Sequence, residues 1–307
     1  MIPLRRIRPL LGTYVRIDLV AERMEHGEQA MDAAFRRIEA IHVAMSFHQA
    51  NSELSRLNRL AHRQAQSVGT DTLRVLEHAL VLAEASDGLF DPCVGSSLVA
   101  CGLLPSSDAP PAAPDGNWRH IHLLDGMRVA FSRPLWLDLG GIAKGDAVDQ
   151  AIEELVRLGI DRATVNAGGD LRVHCTDDSA PEEPLFLRAP GDPDQLIPIG
   201  GLRNGALATS GEFAFGRPDA GPALSPLVDP HAGIRPARAR SVSVLGNRCW
   251  LADGLTKIVA LQGDASQALL DRMDCCAAII ETDGQLHASP GFLESFTSPR
   301  TREPAHA

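Results

Sequence analysis

The chain has 307 residues, of which 44% are hydrophobic and 22% charged, as in an ordinary globular protein with a sizeable core. Its 29 basic and 39 acidic residues give a formal net charge of −10. This balance argues against a binder of nucleic acid or anionic membranes, because both need a basic face. No apolar run reaches the roughly 18 residues of a membrane-spanning helix, so we expect no membrane span.

The first half of the chain predicts four strands, two helices and a loop. Alternating apolar residues predict a half-buried strand over 13–20, and apolar residues at helical spacing predict a helix over 27–45. Thr70 or Asp71 is a suitable cap for a second helix. Pro, Ala, Ser and Asp dominate 105–117, which predicts a surface loop. Short strands are predicted after it, near 119–123, 127–132 and 135–138.

The second half mixes strands and helices without strict alternation, which predicts an α+β fold. A helix begins near Ile142. Short β-like runs follow at 162–166, 170–174, 185–188, 206–209 and 240–245. Two helices are predicted near 252–262 and 265–273, and two strands near 277–281 and 285–288. We expect one domain over 1–298 and a polar tail over 299–307.

The segment 135–149 carries the strongest chemical signal. An apolar strand ends at Asp138, two glycines follow, and an amphipathic helix begins. This pattern aims backbone N–H groups and a helix N-terminus at an anion such as phosphate, and Lys144 adds a positive charge. An ordinary strand–turn–helix with a Gly-Gly turn explains the same spacing, so both interpretations stay open.

Lysine usage sharpens this signal. The chain has 27 arginines but only two lysines, Lys144 and Lys257. A compact ammonium, in place of a planar guanidinium, is therefore indicated at these two positions.

Further segments combine turn residues with polar side chains at 86–95, 166–170, 209–213 and 251–259. Each alone is typical of a turn or a strand end. Asp253 in the last of them either complements the dipole of the following helix or holds a divalent cation.

In their order and content these motifs resemble the ApbE-type family of FAD:protein FMN transferases, from Leu10 to about Gly263. The matching stretches are Leu-Gly-Thr at 11–13, Ser-Glu-Leu-Ser-Arg-Leu-Asn at 52–58, Asp-Gly-Leu-Phe-Asp-Pro at 87–92, Asp-Leu-Gly-Gly-Ile-Ala-Lys-Gly at 138–145, Asn-Ala-Gly-Gly-Asp at 166–170, Thr-Ser-Gly at 209–211, Asp-Pro at 229–230 and Ala-Asp at 252–253. The resemblance implies a single ApbE-like (T-fold-like) domain with mixed sheets flanked by helices.

It also implies an enzyme that transfers FMN from FAD to a Thr or Ser hydroxyl of an acceptor protein, with release of AMP. The residues expected to contact FAD are Leu11, Ser46, Phe47, His48, Leu89, Phe90, Asp91, Asp138, Lys144 and Val228. The carbonyl of Gly141 and the carboxylate of Asp253 are expected to hold Mg²⁺, a hard cation that prefers oxygen ligands. Two alternatives stay open, an FAD pyrophosphatase and a non-catalytic protein that binds or delivers flavin.

The chain departs from the family pattern near the expected metal. Lys257 stands where family members usually carry a Thr that ligates the ion. Either Thr256 supplies the oxygen, or Lys257 replaces part of the metal's charge, and we favour the second because lysine is so rare here.

Two further departures concern the base and an aromatic residue. Pro226 replaces a usual His, which leaves His231 as the nearest candidate base, unless it is an ordinary loop histidine. Phe47 or His48 replaces a usual Tyr. The expected catalytic set is Asp253, Lys257 and His231.

No export leader is visible in the sequence, so we expect a cytoplasmic location.

Overall fold

The computed structural model describes residues 1–106, 108–190, 196–211, 227–232, 240–281 and 283–294. The predicted tail over 299–307, the end of the predicted domain at 298 and Pro226 lie outside the described residues. No helix within these ranges is both long enough and apolar enough to cross a membrane.

Strands and helices alternate irregularly along the described chain. The strands are β1 (Ile2–Leu10), β2 (Thr13–Ala21), β3 (Gln66–Ser67), β4 (Ile121–Leu124), β5 (Arg128–Phe131), β6 (Arg162–Ala167), β7 (Asp170–Cys175), β8 (Glu183–Arg188), β9 (Leu196–Leu202), β10 (Gly205–Gly211), β11 (Ser241–Gly246), β12 (Cys276–Ile280) and β13 (Leu286–Ala288). The helices are α1 (Met24–Met45), α2 (Glu53–Leu60), α3 (Thr70–Ala85), α4 (Gly95–Ala100), α5 (Ala143–Arg157), α6 (Cys249–Gln262) and α7 (Gln267–Arg272), with short 3-10 turns at Trp118–His120 and Gly263–Ser266.

Eight strands form the main sheet in the order β1-β2-β6-β7-β10-β11-β12-β13. Two smaller sheets are formed by β3-β5-β4 and by β8-β9. The α+β class is confirmed, with helices flanking the sheets. Every strand pair in the described residues is antiparallel.

The main sheet is covered on both faces because alternate residues of a strand point to opposite sides. One face packs on the helices, through residues such as Val165 of β6 and Val244 of β11. The other face, with Leu171 and Leu207, packs on the β8-β9 hairpin and on Phe292. Full burial of each such aliphatic side chain contributes about 1.5–3 kcal/mol. The helix-side core fixes α5 and α6 against the sheet.

The predicted strand at 135–138 is wrong. The backbone groups that a neighbouring strand would bind are instead bound by the side-chain amide of Asn58. Asn58 Oδ1 accepts from the Leu137 N–H at 2.8 Å, and Asn58 Nδ2 donates to the Leu137 carbonyl at 3.0 Å. The Asp138 N–H donates to the Pro92 carbonyl at 2.8 Å. This extended segment is thus held by a buried side chain and a loop, and no neighbouring strand pairs with it.

Several short or exposed elements were not predicted, namely β1, β3, β9, α2 and α4. β1 is an edge strand in which half-buried positions alternate with exposed ones and no residue is fully buried, so its apolar pattern is faint. The helix α3 begins at Thr70 as predicted, but its cap is Gly69, and neither Thr70 nor Asp71 caps it. The loop over 105–117 has neither helix nor strand in its described residues, as predicted.

Candidate active site

One cleft of about 610 Å³ lies where α1, α5, α6, β10 and the loops at 89–91 and 227–230 meet. A cavity of this size suits a small-molecule ligand. All ten residues expected to contact FAD line it, together with Gly141 and Lys257: Leu11, Ser46, Phe47, His48, Leu89, Phe90, Asp91, Asp138, Lys144 and Val228. Asp253 is fully buried behind Lys257, and His231 lies outside the lining.

The glycine-rich turn before α5 uses three of its backbone N–H groups in bonds within the turn, which the sequence did not indicate. The Gly140 N–H donates to Asp138 Oδ2 at 3.1 Å. The Ile142 and Ala143 N–H groups both donate to the Leu139 carbonyl, at 3.1 and 2.8 Å. These internal bonds leave fewer backbone donors for an anion, so the cationic side chains become the main source of positive charge.

Gly145 has a packing role in this turn of α5. A Cβ at this position would lie 2.4 Å from the Cys249 carbonyl oxygen, which no side chain tolerates. The missing side chain lets α5 approach the start of α6 closely. The Gly145 N–H then reaches Asp253 Oδ2 at 3.0 Å.

Both lysines of the chain lie in the cleft, and each is paired with a buried aspartate. Lys144 binds Asp170, and Lys257 binds Asp253. The aspartate side chains are 1% and 0% exposed, whereas those of Lys144 and Lys257 are 32% and 18% exposed. The ammonium groups therefore stand between a buried carboxylate and the open cleft.

These charges influence one another. Burial opposes the positive charge of Lys144, but the carboxylates of Asp170 and Asp253 outweigh it and raise the pKa of Lys144. Burial, together with the charge of Asp253, also raises the pKa of Asp170, against the attraction of the two lysines. Two carboxylates held this close in a dry interior require nearby cations.

The surroundings of Asp253 do not fit the expected magnesium ion. Its Oδ1 binds the Lys257 ammonium and its Oδ2 accepts from Gly145, while the Lys257 Nζ also donates to the Asp253 carbonyl at 2.9 Å. A cation of the same sign at this oxygen would be repelled. Within the ranges that the structure describes, no group of three or more His, Cys, Asp or Glu side chains is placed to hold a metal.

Thr256 does not supply the missing oxygen either. Its side chain is fully buried, and its Oγ1 donates to the Asp253 carbonyl at 2.6 Å. The same hydroxyl bonds to Ser210 Oγ at 2.7 Å, so it faces β10 and lies outside the cleft lining.

Hydroxyl groups of β10 connect the lysine pairs to the sheet. Thr209 Oγ1 bonds to Ser243 Oγ at 2.8 Å, and the Thr209 N–H donates to Asp170 Oδ1 at 3.2 Å. Thr209 and Ser210 both line the cleft. The Thr-Ser-Gly motif, individually weak in the sequence, thus lies beside both lysine–aspartate pairs.

The opposite rim contains Asp91 and His231. Burial raises the pKa of Asp91, although its carboxylate accepts from the N–H groups of Cys93 at 2.8 Å and Trp118 at 3.2 Å. His231 is exposed, and its ring Cε1 lies 3.5 Å from where a Cβ on Gly88 would be. His231 therefore lies beside the 87–91 segment, of which Leu89, Phe90 and Asp91 line the cleft.

The sequence analysis missed an apolar wall and one cation of the cleft. Val94, Leu98, Leu103 and Leu104 form this wall, and Arg240 lies near Val242. An apolar wall suits an aromatic ring system. The adjacent leucines 103 and 104, at the start of a polar loop, were the available signal.

Comparison with known proteins agrees with this arrangement. Residues 11–280 match the ApbE family. The FAD:protein FMN transferase of Vibrio cholerae serotype O1 is 29% identical over 269 residues, covering 83% of this chain and 80% of the relative. That of Rhodobacter capsulatus is 33% identical over 260 residues, covering 78% of this chain and 48% of the relative.

Solved structures agree in fold as well. The flavin transferase ApbE from Vibrio cholerae aligns with a TM-score of 0.80 at 26% identity, covering 96% of this chain and 99% of that one. The ApbE protein from Thermotoga maritima aligns with a TM-score of 0.80 at 26% identity, covering 97% and 100%. The two-lysine cleft therefore sits in a fold shared with flavin transferases, and this chain belongs to the ApbE family.

Proposed function

We propose that this protein is an FAD:protein FMN transferase, which moves FMN from FAD to a hydroxyl of an acceptor protein. Its membership of the ApbE family supports the proposal, since relatives matched over most of this chain carry that name. One observation carries it furthest: the two lysines of an arginine-rich chain both line the cleft at which all the expected FAD contacts meet.

The cleft offers complementary surfaces for the two kinds of chemistry in FAD. The apolar wall formed by Val94, Leu98, Leu103 and Leu104 suits an aromatic ring system, for which Phe47 and Phe90 offer further apolar surface. Lys144 and Lys257 supply positive charge for the diphosphate. We assign the diphosphate to the lysine side of the cleft on this basis.

The proposed reaction is a phosphoryl-type substitution at one phosphorus atom. The acceptor hydroxyl oxygen attacks the phosphorus of the FMN half and forms a new phosphoester bond. The bond from that phosphorus to the bridging oxygen breaks, and AMP leaves with the electron pair, while one proton is released. Lysine charges stabilise the negative charge that develops during this loose displacement.

His231 is the proposed acceptor of the hydroxyl proton. It lies beside the 87–91 segment, of which Leu89, Phe90 and Asp91 line the cleft. A positioned base typically contributes about 10²–10⁴-fold in rate. We propose an exposed Ser or Thr of the acceptor as the nucleophile, as the resemblance to the family implies.

Incubation with FAD and a candidate acceptor protein tests the function. We expect AMP in the chromatogram only when the acceptor is present, and FMN attached to a Ser or Thr by mass spectrometry. AMP released without acceptor would instead establish the pyrophosphatase, and intact bound FAD without AMP the binding protein.

The cytoplasmic location stays a prediction, which fractionation of the native cells would test.

The magnesium ion implied by the resemblance is left out of this proposal. Lys257 and Gly145 already take the carboxylate oxygens of Asp253, and Lys144 takes Asp170. The positive charge of the site is therefore assigned to side chains of the chain itself.

A further inference from the structure

We infer that the Lys257 ammonium takes the place of the divalent cation in this cleft, so that FMN transfer proceeds without a metal ion at Asp253. The reaction in this inference rests on the proposed function, whereas the exclusion of a metal ion rests on the geometry around Asp253.

The spacing of Asp253 and Lys257 along helix α6 brings their side chains together. Asp253 and Lys257 are four residues apart on α6, so they share one face of the helix, one turn apart. The Lys257 Nζ binds both Asp253 Oδ1 and the Asp253 carbonyl, the latter at 2.9 Å. The charge is therefore fixed at two oxygen atoms, as a bound cation would be.

Lys257 also lies beside the residue that carries the other expected ligand. Its Cε lies 3.6 Å from the position of a Cβ on Gly141, and its side chain lines the cleft. The lysine side chain thus contacts Asp253 and packs near residue 141, the two positions expected to hold the ion. The positive charge of Lys257 is attracted to Asp253 and, for the same reason, repels a second cation from that carboxylate.

Each of the two buried pairs already contains a cation. Lys144 pairs with Asp170 and Lys257 with Asp253, so these two carboxylates are matched by side-chain cations with no ion added. A third carboxylate, Asp138, lines the same cleft and is also influenced by the charge of Lys257. Thr256, the other candidate for an oxygen ligand, is fully buried and bonds to Ser210. In the part of the chain that the structure describes, Thr256 therefore does not replace the missing Thr as a ligand.

The role of Lys257 in the reaction is electrostatic. When the acceptor oxygen bonds to phosphorus and the bridging P–O bond breaks, negative charge grows on the departing AMP phosphate. The Lys257 ammonium stabilises that charge and neither gains nor loses a proton. It differs from Mg²⁺ in carrying a single charge on a flexible stem.

Metal binding is tested first, without reference to activity. Mn²⁺ serves as a spectroscopic probe for Mg²⁺, titrated by electron paramagnetic resonance into chelator-treated protein with and without FAD. We expect no Mn²⁺ bound by the wild type and stoichiometric binding by Lys257→Thr, which restores an oxygen ligand. Mn²⁺ binding by the wild type that Asp253→Asn abolishes would overturn the inference.

Activity then tests the electrostatic role. The wild type should release AMP at the same rate, within twofold, in chelator and in millimolar Mg²⁺. Lys257→Met, which keeps the length of the side chain without its charge, should lose about 10²-fold or more in both conditions. Lys257→Thr should be as slow in chelator but recover with Mg²⁺. A wild type that needs Mg²⁺ would overturn the inference.

The two proposals fail in different ways. If the wild type attaches no FMN and releases no AMP under any condition, the proposed transferase is wrong, whereas the Mn²⁺ titrations still decide whether Lys257 excludes a metal.

Discussion

Two of the aspartate clusters among the described residues are neutralised by different cations. In the cleft, Lys144 and Lys257 each pair with one aspartate. Away from the cleft, Arg74 on α3 binds Asp146 on α5 through Nε at 3.0 Å and Nη2 at 2.7 Å, and Asp71 through Nη1 at 2.8 Å. Arg37 on α1 binds Asp71 as well, so guanidinium groups tie three helices together.

The two clusters differ in how their carboxylates respond. Burial opposes the negative charge of Asp146, but Arg74 and His78 outweigh it and lower the pKa of Asp146. In the cleft, burial and the neighbouring Asp253 raise the pKa of Asp170. A guanidinium fork satisfies its carboxylate fully, whereas a lysine keeps donors for another anion. The arginine cluster is organised for stability and the lysine cluster for binding.

The largest effect is expected from Arg74→Met. The substitution leaves Asp146, which is 1% exposed, without its guanidinium, and we expect a loss of about 3–5 kcal/mol in the free energy of unfolding. Urea denaturation measures the loss. FAD affinity of the folded protein should not change, because Arg74 does not line the cleft.

The matched control is Arg36→Met, an exposed arginine on α1. It should change stability by no more than about 0.5 kcal/mol. Equal losses in the two variants would show that the bidentate contacts of Arg74 have no special weight.

Lys144→Met in the cleft should reduce activity strongly and stability only moderately, the reverse of Arg74→Met. We expect FMN transfer to slow by about 10²–10³-fold, because a charge aimed at the diphosphate is lost. Stability should fall less than in Arg74→Met, since the raised pKa of Asp170 allows its carboxyl to take up a proton. Lys144→Arg, which keeps the charge, should retain more activity. A stability loss as large as that of Arg74→Met would contradict the division between the clusters.

Local pattern predicted much of this molecule. The periodicity of apolar residues predicted α1, α3 and α5, because each of these helices buries one face, and short apolar runs predicted α6 and the central strands. The rarity of lysine singled out Lys144 and Lys257 before any geometry was known. Both signals are local or compositional.

Long-range partners were out of reach of such patterns. The sequence did not indicate that Asn58 holds the backbone of Leu137, 79 positions away, in place of a strand. Nor did it pair Lys144 with Asp170, because that contact depends on how β7 lies against α5. The glycine-rich turn likewise gave no sign that the Ala143 N–H would be used internally.

A smaller effect is expected from Arg74→Lys. An ammonium keeps the charge but cannot bind both oxygens of Asp146 and reach Asp71 in the same geometry. The loss of about two hydrogen bonds should lower the free energy of unfolding by about 1–2 kcal/mol. A loss below the error of urea denaturation would mean that charge alone, without the planar fork, stabilises this cluster.

The smallest effects are expected in the pH dependence of stability, where the clusters should have opposite signs. The lowered pKa of Asp146 contributes stability that is present above its unfolded pKa of about 3.9 and lost as the pH falls through its folded value. The raised pKa of Asp170 contributes stability that is present below about 3.9 and lost as the pH rises through its folded value.

Urea denaturation from pH 3 to pH 7 measures both slopes. Asp146→Asn should flatten the acid limb relative to the wild type, and Asp170→Asn should remove part of the decline toward neutral pH, by about 1.4 kcal/mol for each unit of pKa difference. Slopes of the same sign for the two substitutions would mean that the lysine pair, like the arginine pair, stabilises an ionised carboxylate. The cleft charges would then contribute to stability in the same way as those between the helices.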